Sequence, residues 1–151
     1  MTAEPGVLTA DAVRLGLRAT DKWDAIGQCG RVLLAVGAVD EPYLPAMLAR
    51  ETAISTYIGA GVAIPHGTDP ARAHVRRTAL AFLQFPDGVD WDGNRVTLCI
   101  AIAADGDEHV ALLSSLATIL LDADAADALR RASDVDTVLT LLAIGHKEKS
   151  A

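Results

Sequence analysis

His66 is the sixth residue of the heptapeptide Gly61-Val62-Ala63-Ile64-Pro65-His66-Gly67, in which an apolar, strand-like run ends on an imidazole. Pro65 fixes its own φ and biases Ile64 toward an extended backbone, while Gly67 has no Cβ to obstruct a group approaching the ring. An imidazole titrating near neutrality is partly unprotonated at physiological pH, so it can attack a phosphorus centre and later leave as a phosphohistidine donor. A second histidine, His109, follows in Asp105-Gly106-Asp107-Glu108-His109, where a strand is expected to end and a long helix to begin. Helix N-termini present unpaired backbone N–H groups that favour anions, and ligands of α/β folds gather at the carboxyl ends of strands. If the two rings converge, His66 attacks, and His109 donates to the phosphoryl oxygens or holds the reactive tautomer of its neighbour. Arg50 adds a permanently charged guanidinium that can grip a phosphate with two hydrogen bonds. Phosphoryl transfer asks mainly for positioning and charge stabilisation, which this set would supply.

The elements that must position these residues follow from pattern. Thr20, with Asp21 and Asp24 behind it, predicts a capped helix start; Trp23, Ile26, Gly30 and Leu33 give it one apolar stripe, and Gly37 a stop. Pro42 opens a second helical pattern through Tyr43, Met47 and Leu48 that delivers Arg50 and Glu51 near its end. Thr78 to Phe85 reads as a core strand stopped by Pro86-Asp87-Gly88, and Asp92-Gly93-Asn94 introduces a second strand from Arg95 to Ala104. From Glu108, residues Leu112, Leu113, Leu116, Ile119 and Leu120 recur at helical spacing, and Ala128 to Arg131 forms a further short helix. Ser133-Asp134-Val135-Asp136 resembles a capping box before a last helix through Leu142. Mixed strands and helices, with no repeat or linker, predict a single α/β domain over residues 1–151.

Bulk properties narrow the function. A chain of 151 residues with 51% hydrophobic content can bury a sizeable core. Its formal net charge of -7 disfavours a general nucleic-acid binder and permits a basic protein partner. The longest apolar runs are too short to cross a membrane and no export signal is visible, so a soluble protein is expected. Cys29 and Cys99 lie far apart without a CxxC, which predicts buried thiols rather than a disulfide or a zinc site. A metal-dependent hydrolase built on His66 and His109 would need a third ligand at recognisable spacing, such as an HExxH helix, and none is found. His74, in Arg72-Ala73-His74-Val75-Arg76-Arg77, reads as part of a solvated connection, and His146 as an exposed tail residue.

The block from Arg50 to Thr68, with Ser55-Thr56-Tyr57-Ile58-Gly59 leading into the His66 heptapeptide, resembles the active-site block of one family. That family is the mannitol and fructose type enzyme IIA component of the bacterial phosphoenolpyruvate-dependent sugar phosphotransferase system. Ile100 to Ala104 followed by Asp107-Glu108-His109 resembles its second block. The resemblance implies a mixed β-sheet flanked by helices on both faces. It implies that His66 is phosphorylated by the phosphocarrier HPr and hands the group to a cysteine of an enzyme IIB domain, with His109 assisting and Arg50 contacting phosphate. No metal or organic cofactor is implied, and the protein would work in the cytoplasm. Tyr57 is more like mannitol-type members, whereas fructose and nitrogen-regulatory types tend to carry glycine there; a fructose-type or nitrogen-regulatory enzyme IIA module acting by phosphorylation-dependent protein binding is the alternative. Ala60 departs from the family, in which an acidic or amide residue is common between the two glycines.

Overall fold

In the computed structural model, which describes residues 7–104 and 106–142, a short strand β1 (Val13–Arg14) leads into two helices, α1 (Lys22–Ala35) and α2 (Tyr43–Ala53). A small hairpin, β2 (Tyr57–Gly59) and β3 (Val62–Ala63), precedes the long strands β4 (Ala79–Trp91) and β5 (Asn94–Ala103). Three helices follow, α3 (Gly106–Leu121), α4 (Ala123–Arg131) and α5 (Val135–Leu141). The five strands form one mixed sheet in the order β1-β4-β5-β3-β2, with β1 parallel to β4, β3 parallel to β5, and the other pairs antiparallel.

Period-two alternation on the two long strands separates two cores. Ala79, Ala81, Leu83 and Phe85 of β4, with Cys99, Ala101 and Ala103 of β5, face α1 and α2, where Ile26, Cys29, Leu33, Tyr43 and Met47 are buried against them. Leu80 and Phe82, with Leu98, Ile100 and Ile102, face α3, α4 and α5, meeting Leu112, Leu116, Leu129 and Val138. The sheet is thus covered by helices on both faces, as the resemblance implied. Among the described residues no single helix is long and apolar enough to cross a membrane.

Several boundaries differ from expectation for local reasons. The cap of α1 is Asp21 rather than Thr20: its carboxylate accepts from the Asp24 N–H at 2.9 Å, one residue later than the pattern placed it. Gly37 ends the helix as expected, at φ +76°, with Gly37 and Ala38 N–H groups returning to the Leu34 and Leu33 carbonyls. Strand β4 does not stop at Pro86-Asp87-Gly88. A register shift between Gln84 and Val89 absorbs the proline and glycine as a bulge, and pairing with β5 resumes to the Asp92-Gly93 turn. Asp92 at φ +57° and Gly93 at φ +94° give that turn the left-handed geometry tight hairpins need. Helix α4 begins at Ala123, earlier than the sequence indicated, because the Asp122 side chain accepts from the Asp124 and Ala125 N–H groups. For α5 the cap is Asp134, not Ser133, and its carboxylate receives the Thr137 N–H at 2.8 Å. That bond holds the Asp134 carboxyl below its ordinary value. His146 lies outside the described residues.

Candidate active site

Strand β3 pairs in parallel with β5, Val62 opposite Leu98 and Ala63 opposite Cys99, and one further parallel bridge lies beyond it, between His66 and Ile102. The Ile102 N–H donates to the Pro65 carbonyl at 2.9 Å and secures the chain just before the histidine. Within the loop, His66 Nδ1 sits 2.8 Å from the Ile64 carbonyl oxygen. A carbonyl can only accept, so Nδ1 carries a proton, and in the neutral ring Nε2 then holds the lone pair. The His66 side chain is largely buried, at 9% exposure.

His109 lies in the first turn of α3 and is half-buried. Its ring centroid is 4.7 Å from that of His66, with the planes tilted by 59°. The convergence expected from the sequence is therefore present: one histidine leaves the end of β3, the other enters from the helix that follows β5. A tether from Thr78, whose hydroxyl donates to the Glu108 carboxylate, ties that first turn to the start of β4.

Arg50 is held at its own helix end. It is half-buried near the C-terminal end of α2, where its guanidinium donates to the Ile54 carbonyl while the Ile54 N–H returns to the Arg50 carbonyl. In this arrangement the cation closes its own helix end, which suits the helix dipole. Its neighbour Glu51 is buried at 3% exposure and serves as an anchor. The Glu51 carboxylate accepts from the Thr56 N–H (3.0 Å), the Thr56 hydroxyl (2.6 Å), Trp91 Nε1 (3.0 Å) and Lys22 Nζ (3.3 Å). This carboxylate fixes the segment between α2 and β2 on which Arg50 rests.

The reason for glycine at position 67 differs from the one inferred from sequence. A Cβ there would stand 2.6 Å from the Tyr43 ring, so Gly67 makes room for a tyrosine rather than for an incoming group. The Tyr43 hydroxyl accepts from the Gly67 N–H at 2.8 Å and donates to the Ile102 carbonyl at 2.9 Å. Burial pushes that hydroxyl above its ordinary value of 10.0, against the opposing pull of the Gly67 amide and the Arg72 charge, so it stays protonated and able to donate. Sequence reasoning missed Tyr43 as a site residue. The available signal was a tyrosine, rather than leucine or phenylalanine, on a helix face destined for burial, because its hydroxyl must find partners.

An apolar groove of about 410 Å³ runs between β2–β3 and α3–α4, with Ile58, Val62, Leu116, Leu120 and Ile64, two residues before His66, among its walls. Ile58, Val110 and Leu121 are 47%, 63% and 85% exposed on this side of the molecule. The family model described as phosphoenolpyruvate-dependent sugar phosphotransferase system, EIIA 2, matches residues 6–144. The chain belongs to that family. Among EIIA 2 relatives, it is 38% identical over 128 residues to the mannitol-specific phosphotransferase enzyme IIA component of Staphylococcus aureus, covering 85% of this chain and 89% of that one. It is 41% identical over 142 residues to the multiphosphoryl transfer protein of Escherichia coli O157:H7, covering 93% of this chain but 38% of that protein's length. The chain spans less than half the length of the multiphosphoryl transfer proteins it matches. Among solved structures, enzyme IIA mannitol in its complex with phosphorylated enzyme IIB mannitol from Escherichia coli superposes with a TM-score of 0.84 at 37% identity, covering 89% of this chain and 96% of that one.

Proposed function

We propose that His66 accepts a phosphoryl group at Nε2 from the phosphohistidine of HPr and passes it to a cysteine of an enzyme IIB domain during mannitol uptake. The observation that carries this reading is the Nδ1 to Ile64 carbonyl contact of 2.8 Å, which leaves the Nε2 lone pair as the nucleophile. In the first step the Nε2–P bond forms as the donor's N–P bond breaks, and the proton on Nδ1 stays where the carbonyl holds it. In the second step a cysteine thiolate attacks, the S–P bond forms, and the electron pair of the breaking N–P bond returns to Nε2. His109, its ring centroid 4.7 Å from that of His66, is the group to hydrogen-bond the phosphoryl oxygens. Arg50 supplies charge once it turns from the Ile54 carbonyl toward the incoming group.

Transfer between proteins requires docking surfaces that form and release in turn. The exposed Ile58, Val110 and Leu121 and the groove behind them offer an apolar patch for that purpose, continuous with the loop through Ile64. The solved Escherichia coli complex of enzyme IIA mannitol with phosphorylated enzyme IIB mannitol supports the IIB partner, and the cytoplasm is the location this reading implies. The test is intact-mass analysis after incubation with phosphoenolpyruvate, enzyme I and HPr. Wild type is expected to gain one acid-labile phosphate and His66→Ala none. Phosphate on the His66→Ala variant, or none on wild type with active HPr, would overturn the reading.

A further inference from the structure

Ile102 faces the loop on both sides of His66. On one side its N–H donates to the Pro65 carbonyl at 2.9 Å. In a regular parallel pair its carbonyl would accept the N–H of residue 67 directly, completing the ladder. Here the Tyr43 hydroxyl stands between the two groups, accepting from Gly67 at 2.8 Å and donating to Ile102 at 2.9 Å. One oxygen atom is thus wedged into the ladder immediately after the histidine. The wedge comes from α2, on the opposite face of the sheet from α3, which carries His109.

We infer that the Tyr43 hydroxyl is a positioning group for phosphoryl transfer: it sets how far the chain after His66 stands off β5, and thereby the pose of the imidazole against His109. The inference rests on the reading of His66 as the phosphorylated residue. The geometry is specific to a tyrosine. The ring fills the space that a Cβ on residue 67 would need, and the oxygen meets one donor and one acceptor, the two roles a hydroxyl can play at once. Removing the oxygen leaves the Gly67 N–H and the Ile102 carbonyl either to close on each other or to remain unpaired. Closing would draw residue 67 toward the sheet and rotate the ring that precedes it. A displacement of this order, about 1 Å, costs about a hundredfold in rate where geometry controls the reaction.

The experiment compares wild type and Tyr43→Phe in phosphoryl transfer from phospho-HPr, with kcat and KM separated and the thermal midpoint recorded. The expected result is a kcat lower by about tenfold to a hundredfold, with KM little changed and the variant still folded. A tyrosine that merely supports the fold would lower the thermal midpoint and leave kcat per folded molecule at the wild-type value, which overturns the inference. A second readout is the Gly67 amide in the ¹H–¹⁵N spectrum together with the scalar coupling across its hydrogen bond: in Tyr43→Phe a coupling to the Ile102 carbonyl is expected to appear. Should Tyr43→Phe not fold, 3-fluorotyrosine placed at residue 43 keeps the shape and weakens the oxygen as an acceptor. The Gly67 amide shift and kcat must then both move, and failure of either to respond overturns the inference. Absence of any phosphate on wild type would instead strike the underlying function, and the Gly67 amide would still decide whether the wedge exists.

Discussion

On the α1–α2 side of the sheet, polar groups are driven into the interior and engaged there: Glu51 with four donors, Tyr43 with one donor and one acceptor. On the α3–α5 side the buried layer is almost wholly hydrocarbon, from Leu80, Phe82 and Ile100 through Leu116 and Leu129, and it opens into a groove rather than closing. Two buried polar side chains lie on this side among the described residues: His66, against His109, and Gln84, which lies away from the groove and donates to the carbonyls of Arg130 and Ala132. Directional bonds fix atoms to fractions of an ångström, while apolar contact is tolerant of shape. On the proposed function, one side of the protein would aim the nucleophile, and the other would receive partners that come and go.

The strongest way to break this comparison is to remove the anchor. Glu51→Leu leaves the Trp91 N–H and the Thr56 N–H and hydroxyl without their acceptor, while Lys22 keeps Asp92. The variant is expected to destabilise the fold by about 3 kcal/mol or more, at about 1–3 kcal/mol for each buried donor left unsatisfied. Urea unfolding measures it; a loss below about 1 kcal/mol would mean that the polar side is no more tightly held than an exposed ion pair.

A smaller, pH-dependent effect sharpens the same point. Burial alone would lower the Lys22 ammonium, but its hydrogen bonds to Asp92 and Glu51 outweigh burial and raise it above its ordinary value of 10.5. A raised folded value means the native state holds the proton more tightly. The contribution is therefore complete below pH 10.5 and is lost as pH rises through the folded value. Against Lys22→Met, the wild-type stability advantage should shrink above that pH in urea titrations, and a constant difference would show that the ion pairs do not couple to folding.

The smallest effect on stability belongs to the groove. Ile58→Ser and Leu121→Ser, both at exposed positions, should change unfolding free energy by no more than about 0.5 kcal/mol. They should nevertheless raise the KM for the protein phosphodonor. An unchanged KM would remove the groove from the docking surface.

What the sequence disclosed, and what it hid, divides along the same line. The strands β4 and β5 and the helix behind Glu108 were readable, because they follow from periodicity, whereas the meeting of His66 with His109 was only a conditional expectation that the ring contact bears out. The continuation of β4 through Pro86 was not readable, since a bulge is created by pairing with a partner strand that local pattern cannot see. Arg50 was read as a phosphate ligand that could also serve as a helix C-terminal cation, and its bond to the Ile54 carbonyl accords with the second role without deciding the first. Tyr43 and Glu51 looked like ordinary helix residues because their partners lie 24 and 59 residues away for Tyr43, and 40 residues away for Glu51 and Trp91. Ala60 was visible as a departure from the family, and φ +55° gives the departure physical meaning: the turn holds a left-handed backbone that asparagine tolerates better than alanine.

The layer beneath α1 and α2 is paved with alanines, Ala79, Ala81, Ala101 and Ala103, all fully or almost fully buried. Small side chains there set the standoff between helix and sheet, in the manner of a shim beneath an instrument mount. A single added methyl group at one of them would lift the helical layer that carries Tyr43, and with it the oxygen on which the loop leans. Residues that touch no phosphate thus share in the alignment of the one that would carry it, and a silent-looking alanine becomes a place where the reaction can be detuned without altering the site.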